Sequence, residues 1–457
     1  MKGAWVVRVQ SHISDVLCRV LIRSHSASAA YQDPLSLLNQ TRQLPLGRRY
    51  QLLWSAVAAS TLGDGLLIVG LPLLADRLSD GDPLSVSLLL VAQRIPWLVM
   101  AMLGGAAADR REARSLMYRS DLIRMAIVAA LAACVITGAA SVPLLLLAAV
   151  AIGVLDVVFW AAAQRMIPFV ASSDQLERAN GRLSAAQSAG EQVFGPAVGG
   201  TLFRVGQSLP LIGDGVSFAV SAVLLRGLPS VPPDPYSISI PFRVSVHEGY
   251  SWFVGAGVPN RRIRLVTLYA IGFAFGEAFM LAPLVSYARR SVGLDPRGVG
   301  IFLGVVAIGN VIGATFADRI LNRFCFRDVL LLLPLVMALA YLLAAFTTTP
   351  AVAVIGLFVE AILIMVANAA SAALRQREVP SYLIARVSTL YRSLIYGAIS
   401  VGALAAGLVS RYGGSWFQVL GLPTEGAGVR SSFLIGSVIG LMTVVVGARP
   451  LRRAMRP

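Results

Sequence analysis

Apolar stretches of about 20 residues recur along this chain, and their length constrains the fold more than any motif does, because a helix needs roughly that many residues to cross a hydrocarbon layer. No water is present there to satisfy open backbone groups, so each stretch must close its own hydrogen bonds as a helix. The expected spans are Leu52–Ala75, Leu84–Ala108, Arg119–Ala140, Pro143–Met166, Gly181–Val205 and Leu209–Leu228. A second set is Arg264–Tyr287, Gly298–Ala317, Val329–Phe346, Ala351–Leu374, Arg386–Ser410 and Ser431–Gly447. Composition agrees: 14% of residues are charged, where a soluble domain carries about 25%. Mean hydropathy is +0.73. The fold class expected is an all-α membrane protein of twelve transmembrane helices in two pseudo-symmetric six-helix bundles. The weakest joins are the turn at Ser141–Pro143 and the gap Thr347–Pro350.

Basic residues set the orientation. With the N-terminus inside, inner segments and inner span ends hold 29 of the 39 Lys and Arg, against seven outside. Without Lys2, Arg8, Arg19 and Arg23 of the tail the balance is still 25 to seven. Both termini are therefore expected in the cytoplasm, in a plasma membrane. The net charge of +16 is spread as a topology signal and an inner-leaflet attraction, not as a groove for nucleic acid.

The chain repeats itself. Gly104 to Arg110 reads GGAAADR, and Gly313 to Arg319 reads GATFADR, 209 positions later. Gln164-Arg-Met-Ile-Pro168 and Gln376-Arg-Glu-Val-Pro380 lie 212 positions apart. Two matches at nearly equal offsets make a tandem of six-helix halves. The domains expected are a cytoplasmic tail (1–49), an N-terminal bundle (50–228), a linker (229–262), a C-terminal bundle (263–449) and a short tail (450–457). The linker opens on Pro229, Pro232, Pro233 and Pro235 and carries an amphipathic stretch, Phe242–Phe253. Parallel halves enclosing a site are a transporter architecture.

Further motifs lie in order along the chain: Leu62-Gly-Asp-Gly65, Gln93-Arg-Ile-Pro96, Gly153-Val-Leu-Asp156, Leu176-Glu-Arg-Ala-Asn180, Gly195-Pro-Ala-Val-Gly-Gly200, Asp214-Gly-Val-Ser-Phe218 and Ala385-Arg-Val-Ser388. In this order and spacing the chain resembles the major facilitator superfamily, in its bacterial branch of macrolide, multidrug and enterobactin-type exporters. The resemblance runs from about Leu44 to Val446. It implies that the loop after the second span is a gate in which Asp109 docks against the other half, with Arg110 and Arg114 as charge partners. Gly105, Asp318 and Arg319 belong to the same repeated gating element. Two positions depart from the family pattern: Glu112, where the widely shared loop has glycine, and Glu191, just before Gly195-Pro196. Gly195, Pro196, Gly199 and Gly200, with Gly190 before them, read as a bend and a close-packing face. The resemblance ties that pattern to antiporters, which favours export over uptake.

Five carboxylates fall near mid-span: Asp64, Asp156, Glu191, Glu277 and Glu360. Each ionised acid at the bilayer centre costs roughly 2.5–3.5 kcal/mol, so five facing lipid would cost on the order of 12–18 kcal/mol. They are expected to face the bundle interior or a wet cavity. Burial disfavours the charged form of a carboxyl group, so a cavity that opens and closes can load and unload protons on such groups. Glu277 and Glu360 are expected at the cavity. For Asp64, Asp156 and Glu191, helix-to-helix hydrogen bonding remains open beside proton coupling. Arg94 reads as the sole arginine near mid-depth and cannot shed its charge. Its expected partner is Asp64 or Asp156, with contact to a polar or anionic substrate as the other reading. Asp121 and Arg124, one turn apart, are expected to pair locally at the inner end of the third span. Trp54, Trp97, Phe159, Trp160, Phe273 and Phe275 are candidates for a drug cavity, with ordinary packing as the plainer role.

No phosphate-binding loop occurs, and the three histidines lie in the tail and linker. No enzyme activity, cofactor or metal is therefore expected. Cys18, Cys134 and Cys325 lie in the tail, a span and a loop, so no disulfide is expected. The function expected is secondary transport by a monomer in the bilayer: proton-coupled export of a drug-like or secondary-metabolite molecule. The alternatives are a dedicated siderophore or metabolite exporter, an uptake permease, and a transport-inactive scaffold or lipid-handling protein.

Overall fold

The structure, a computed structural model, describes residues 46–109, 111–172, 175–232, 250–324, 326–380, 383–414 and 426–454. Residues 1–45 of the expected tail (1–49) and most of the amphipathic linker stretch lie outside those residues.

Twelve long helical segments run through the described residues. The first six are α1 (Arg48–Leu78), α2 (Pro83–Asp109), α3 (Ala113–Ile136), α4 (Val142–Val170), α5 and α6 (Leu209–Leu225). Here α5 joins Leu176–Gln187 to Gly195–Val205 through a π-helical turn, Ser188–Phe194. The second six are α7 (Val258–Ser291), α8 (Pro296–Arg323), α9 (Phe326–Phe346), α10 (Pro350–Glu378), α11 (Ile384–Tyr412) and α12 (Ala427–Ala454). Eight of the twelve are by themselves long and apolar enough to cross a membrane. The helix α3 carries too many charges, and α5 is interrupted by its π turn. Both weak joins are real turns. Gly138 ends α3 at φ +75°, where a side chain is disfavoured, and Ser141 opens α4 with Pro143 in its first turn. Thr349 precedes α10 in extended conformation, again with proline in the first turn.

Within the first half α1 packs on α5 and α6, α2 on α4, and α3 on α4 and α6; within the second, α7 packs on α11 and α12, α8 on α10, and α9 on α10 and α12. The halves meet along α2–α11 and α5–α8. These two seams are equivalents under the sequence repeat, which maps α2 onto α8 and α5 onto α11. Lipid is as apolar as leucine, so close backbone approach, not apolar burial, holds such helices together. A side chain on Gly195 would collide with Gly65 of α1, and one on Gly199 with the backbone of Leu66. Across the seam, a methyl group on Gly200 would come within 3.0 Å of Gly300 Cα, and one on Gly407 within 2.7 Å of Ser87 Cβ.

One boundary departs from expectation with consequences. The third span begins at Ala113, six residues before the expected Arg119. Its first turns carry Arg114, held by Glu112 and the Leu228 carbonyl, and the exposed Arg119, so hydropathy alone misplaces its start. Arg124 thereby moves from the end of the span to its middle.

Candidate functional site

Arg124 is completely buried and is the hub of the first half. Its guanidinium pairs with Asp121 on its own helix and with Asp156 on α4, and lies 3.8 Å from Asp64 on α1. Ser60 accepts a further hydrogen bond at 3.4 Å. The rings of Phe218 and Phe159 cover the guanidinium at 4.3 and 4.7 Å. Asp214 on α6, the helix that packs on α3, is also fully buried, and its carboxylate accepts from Ser217 at 3.3 Å. The expected pairing of Arg94 with Asp64 or Asp156 is thus overturned, because Arg124 holds both. A planar fork of five donors can serve three carboxylates at once. The signal was in the sequence: Asp121 and Arg124 at i and i+3 in an apolar stretch, and Asp214 inside one of the family motifs.

Asp64 and Asp156 turn their other side to a cavity of about 390 Å³ between the halves. It is lined from the first half by Gln93, Arg94, Trp97, Trp160, Gln187, Glu191 and Gln192 as well, and from the second by Glu277, Leu281, Tyr396 and Ile399. One of its features comes from irregular backbone. The π turn of α5 adds a residue to the helix and places Glu191, whose carboxylate accepts from Gln187 Nε2 at 3.3 Å. Such turns recur at functional sites. Across the same region Asn310 of α8 donates to Gln192 at 3.3 Å.

The structure separates the remaining expected residues. Arg94 lines the cavity with its guanidinium 5.8 Å from the Tyr396 ring centroid. Glu360, expected at the cavity, is instead buried behind it and accepts a 2.7 Å hydrogen bond from Tyr341. Sequence shows that α10 carries an acid but not which face of α10 turns inward. Of the six aromatics, Trp97 and Trp160 line the cavity. Phe159 lies on Arg124, Phe273 and Phe275 pack inside the second half, and Trp54 is exposed, its indole donating to the Arg182 carbonyl. In the gating element, Gly105 and Asp109 lie on the last turns of α2, while Arg110 and the side chains of 99–109 lie outside the described residues. Arg114 pairs with Glu112 at 3.2 Å and donates to the Leu228 carbonyl at 3.1 Å. Glu112, the departure from the family pattern, is thus the residue that precedes α3 and anchors Arg114. Asp318 and Arg319 are exposed at the end of α8, and Arg319 lies over the Phe316 ring.

Three ion pairs join the halves at the end away from Arg48. Arg204 pairs with Asp295 at 3.3 Å, Asp76 with Arg290 at 3.5 Å, and Asp82 with Arg411 at 3.4 Å. Each takes one residue from each half. The Arg290 guanidinium lies against Gly81, where a side chain would clash and where φ is +82°. The Gly200–Gly300 and Gly407–Ser87 contacts lie towards the same end, which is therefore closed over the cavity.

Two bundles, a charged cavity between them and a closed end form a carrier layout, and the sequence model of the Major Facilitator Superfamily matches residues 53–403. The chain belongs to that family. It is a multi-pass membrane transporter and not an enzyme. The multidrug efflux pump Tap of Mycolicibacterium fortuitum is 27% identical over 404 residues, spanning 84% of this chain and 94% of that protein. Among solved structures, a mutant of the nucleoside transporter NupG superposes with a TM-score of 0.70 at 14% identity, covering 90% of this chain and all of the other. A bacterial homologue of the lysosomal transporter Spinster, facing inward and unoccupied, also gives 0.70, at 16% identity over 89% of this chain and 98% of its own. This superfamily member thus shares its fold with carriers of unlike cargo.

Proposed function

We propose that this transporter is a proton-coupled exporter of a drug-like or secondary-metabolite molecule, working by alternating access in the plasma membrane. Its bundles are residues 50–228 and 263–449, both termini are cytoplasmic, and the closed end faces outward. The observation that carries the reading is the cavity, in which carboxyl groups from both halves meet polar and aromatic walls at mid-depth. Carboxyl groups that exchange protons as the cavity changes sides can couple a proton gradient to substrate movement. Glu277 is the favoured carrier in the second half because it lines the cavity, while Glu360 buffers it from behind. Asp64, Asp156 and Glu191 serve the first half. Asp109, Arg110, Arg114, Asp318 and Arg319 close the cytoplasmic end in the opposite state, and Gly195, Pro196, Gly199 and Gly200 let α5 bend. Likeness to an efflux pump over most of the chain supports the export direction.

The test is dye accumulation in an efflux-deficient bacterium. Expression should lower accumulation, a protonophore should restore it, and Glu277→Gln should abolish the effect at unchanged protein level. Accumulation indifferent to both the protein and the protonophore sinks drug–proton exchange. Full transport by Glu277→Gln removes that residue as the carrier.

A further inference from the structure

We infer that Arg94 is an internal cation standing in the subsite for the charged group of the substrate, and that the transported compound is a lipophilic organic cation that displaces it. The inference rests on the transport reading above and gives its cavity a substrate class.

Arg94 projects from α2 into the cavity, whose wall also holds two carboxyl groups, Glu191 of its own half and Glu277 of the other. Its guanidinium stands 5.8 Å from the Tyr396 ring, and Trp97 packs on that ring at 5.9 Å between centroids. Carboxylates beside an aromatic surface form the environment that holds ammonium and phosphonium groups. Arg94 fills it imperfectly, because its Nε is buried with no hydrogen-bond partner among the described residues. A contact that leaves a buried donor unmet is one the side chain can give up.

The charge balance points the same way. Among the described residues in and behind the cavity, seven acids (Asp64, Asp121, Asp156, Asp214, Glu191, Glu277 and Glu360) stand beside two guanidinium groups, Arg94 and Arg124. Arg124 is committed to Asp121, Asp156 and Asp64. Each of these acids that ionises adds attraction for a cation and none for an anion.

Arg94 also guards a second space. With Gln93 it lines both the acidic cavity and an apolar pocket of about 120 Å³ walled by Pro72, Val86, Leu90 and Val285. A ligand cation that moves the guanidinium aside satisfies the acids and opens that pocket to an apolar arm. The substrate chemistry that matches is a positive centre carrying aromatic or aliphatic groups.

The experiment is equilibrium binding of tritiated tetraphenylphosphonium to the purified full-length chain in nanodiscs, with 8-anilinonaphthalene-1-sulfonate as the anionic probe. Arg94→Ala and the length-matched Arg94→Met should bind tetraphenylphosphonium about tenfold more tightly. Arg94→Lys should match the unaltered protein, and the anion should gain nothing from any substitution. Unchanged or weaker tetraphenylphosphonium binding by folded Arg94→Ala and Arg94→Met overturns the inference. Should those variants not fold, the unaltered protein still decides: tighter binding of the anion than of the cation overturns it, and the reverse supports it. The assay contains no proton gradient. Loss of proton-driven export with these binding shifts intact would retire the export reading alone, and intact export without them would retire this inference alone.

Discussion

Replacing Arg124 with methionine should destabilise the protein by about 3–5 kcal/mol, the cost of breaking a buried charge pair from one side. Methionine fills much of the same volume and suits the faces of Phe159 and Phe218, so the loss is electrostatic and not a packing defect. What it leaves behind is Asp121, fully buried, together with Asp156 and Asp64, whose side chains are only 23% and 18% exposed. Three carboxyl groups on three helices then lose the cation that ties α1, α3 and α4 together. Arg124→Lys should recover part of the stability, because it keeps the charge but not the fork. Thermal unfolding of the purified protein in detergent measures this. A melting temperature for Arg124→Met equal to that of the unaltered chain would mean that the cluster is not the structural hub of the first half.

A bulky residue at the seam should act on conformation and not on folding. Gly200 of α5 faces Gly300 of α8, and no side chain fits between them while the far end is closed. Gly200→Leu overpacks this contact, which costs about 1–3 kcal/mol in a tight interior. The clash lies between the halves, so separating them at that end relieves it. The ratio of open to closed conformers should therefore rise about 5- to 150-fold. The readout is labelling of a cysteine at Ile68, a cavity position, by a membrane-impermeant maleimide added outside cells, in a chain whose own cysteines are replaced. Labelling should accelerate in Gly200→Leu and more modestly when Arg290 and Arg411 are neutralised, since exposed ion pairs contribute roughly 0–1 kcal/mol each. Unchanged labelling in Gly200→Leu would mean that the α5–α8 contact does not control access from that end.

The twelve helices, their division six and six, and the family were all legible in the sequence, for a physical reason. A membrane-crossing helix must satisfy its backbone within itself and present about 20 apolar residues to lipid, so its existence is a local property that hydropathy reports. The repeat of Gly104–Arg110 at Gly313–Arg319 is local too. Where charge compensation was needed, local reading failed. The third helix starts six residues before the hydropathic stretch because Arg114 in its first turn is held by Glu112 and by the distant Leu228 carbonyl, and its mid-span Arg124 is held by α1 and α4.

By itself, then, the sequence determined that this chain crosses a membrane as two related halves, and that costly charged groups are held at mid-depth. Only the tertiary structure decided which of them pair, which face the cavity and which lie behind it. Arg124 and not Arg94 holds Asp64 and Asp156, and Glu277 lines the cavity while Glu360 turns to Tyr341. Hydropathy and motif spacing carry no record of helix rotation, and a rotation of one residue, about 100°, is enough to carry a side chain from a cavity into a helix interface.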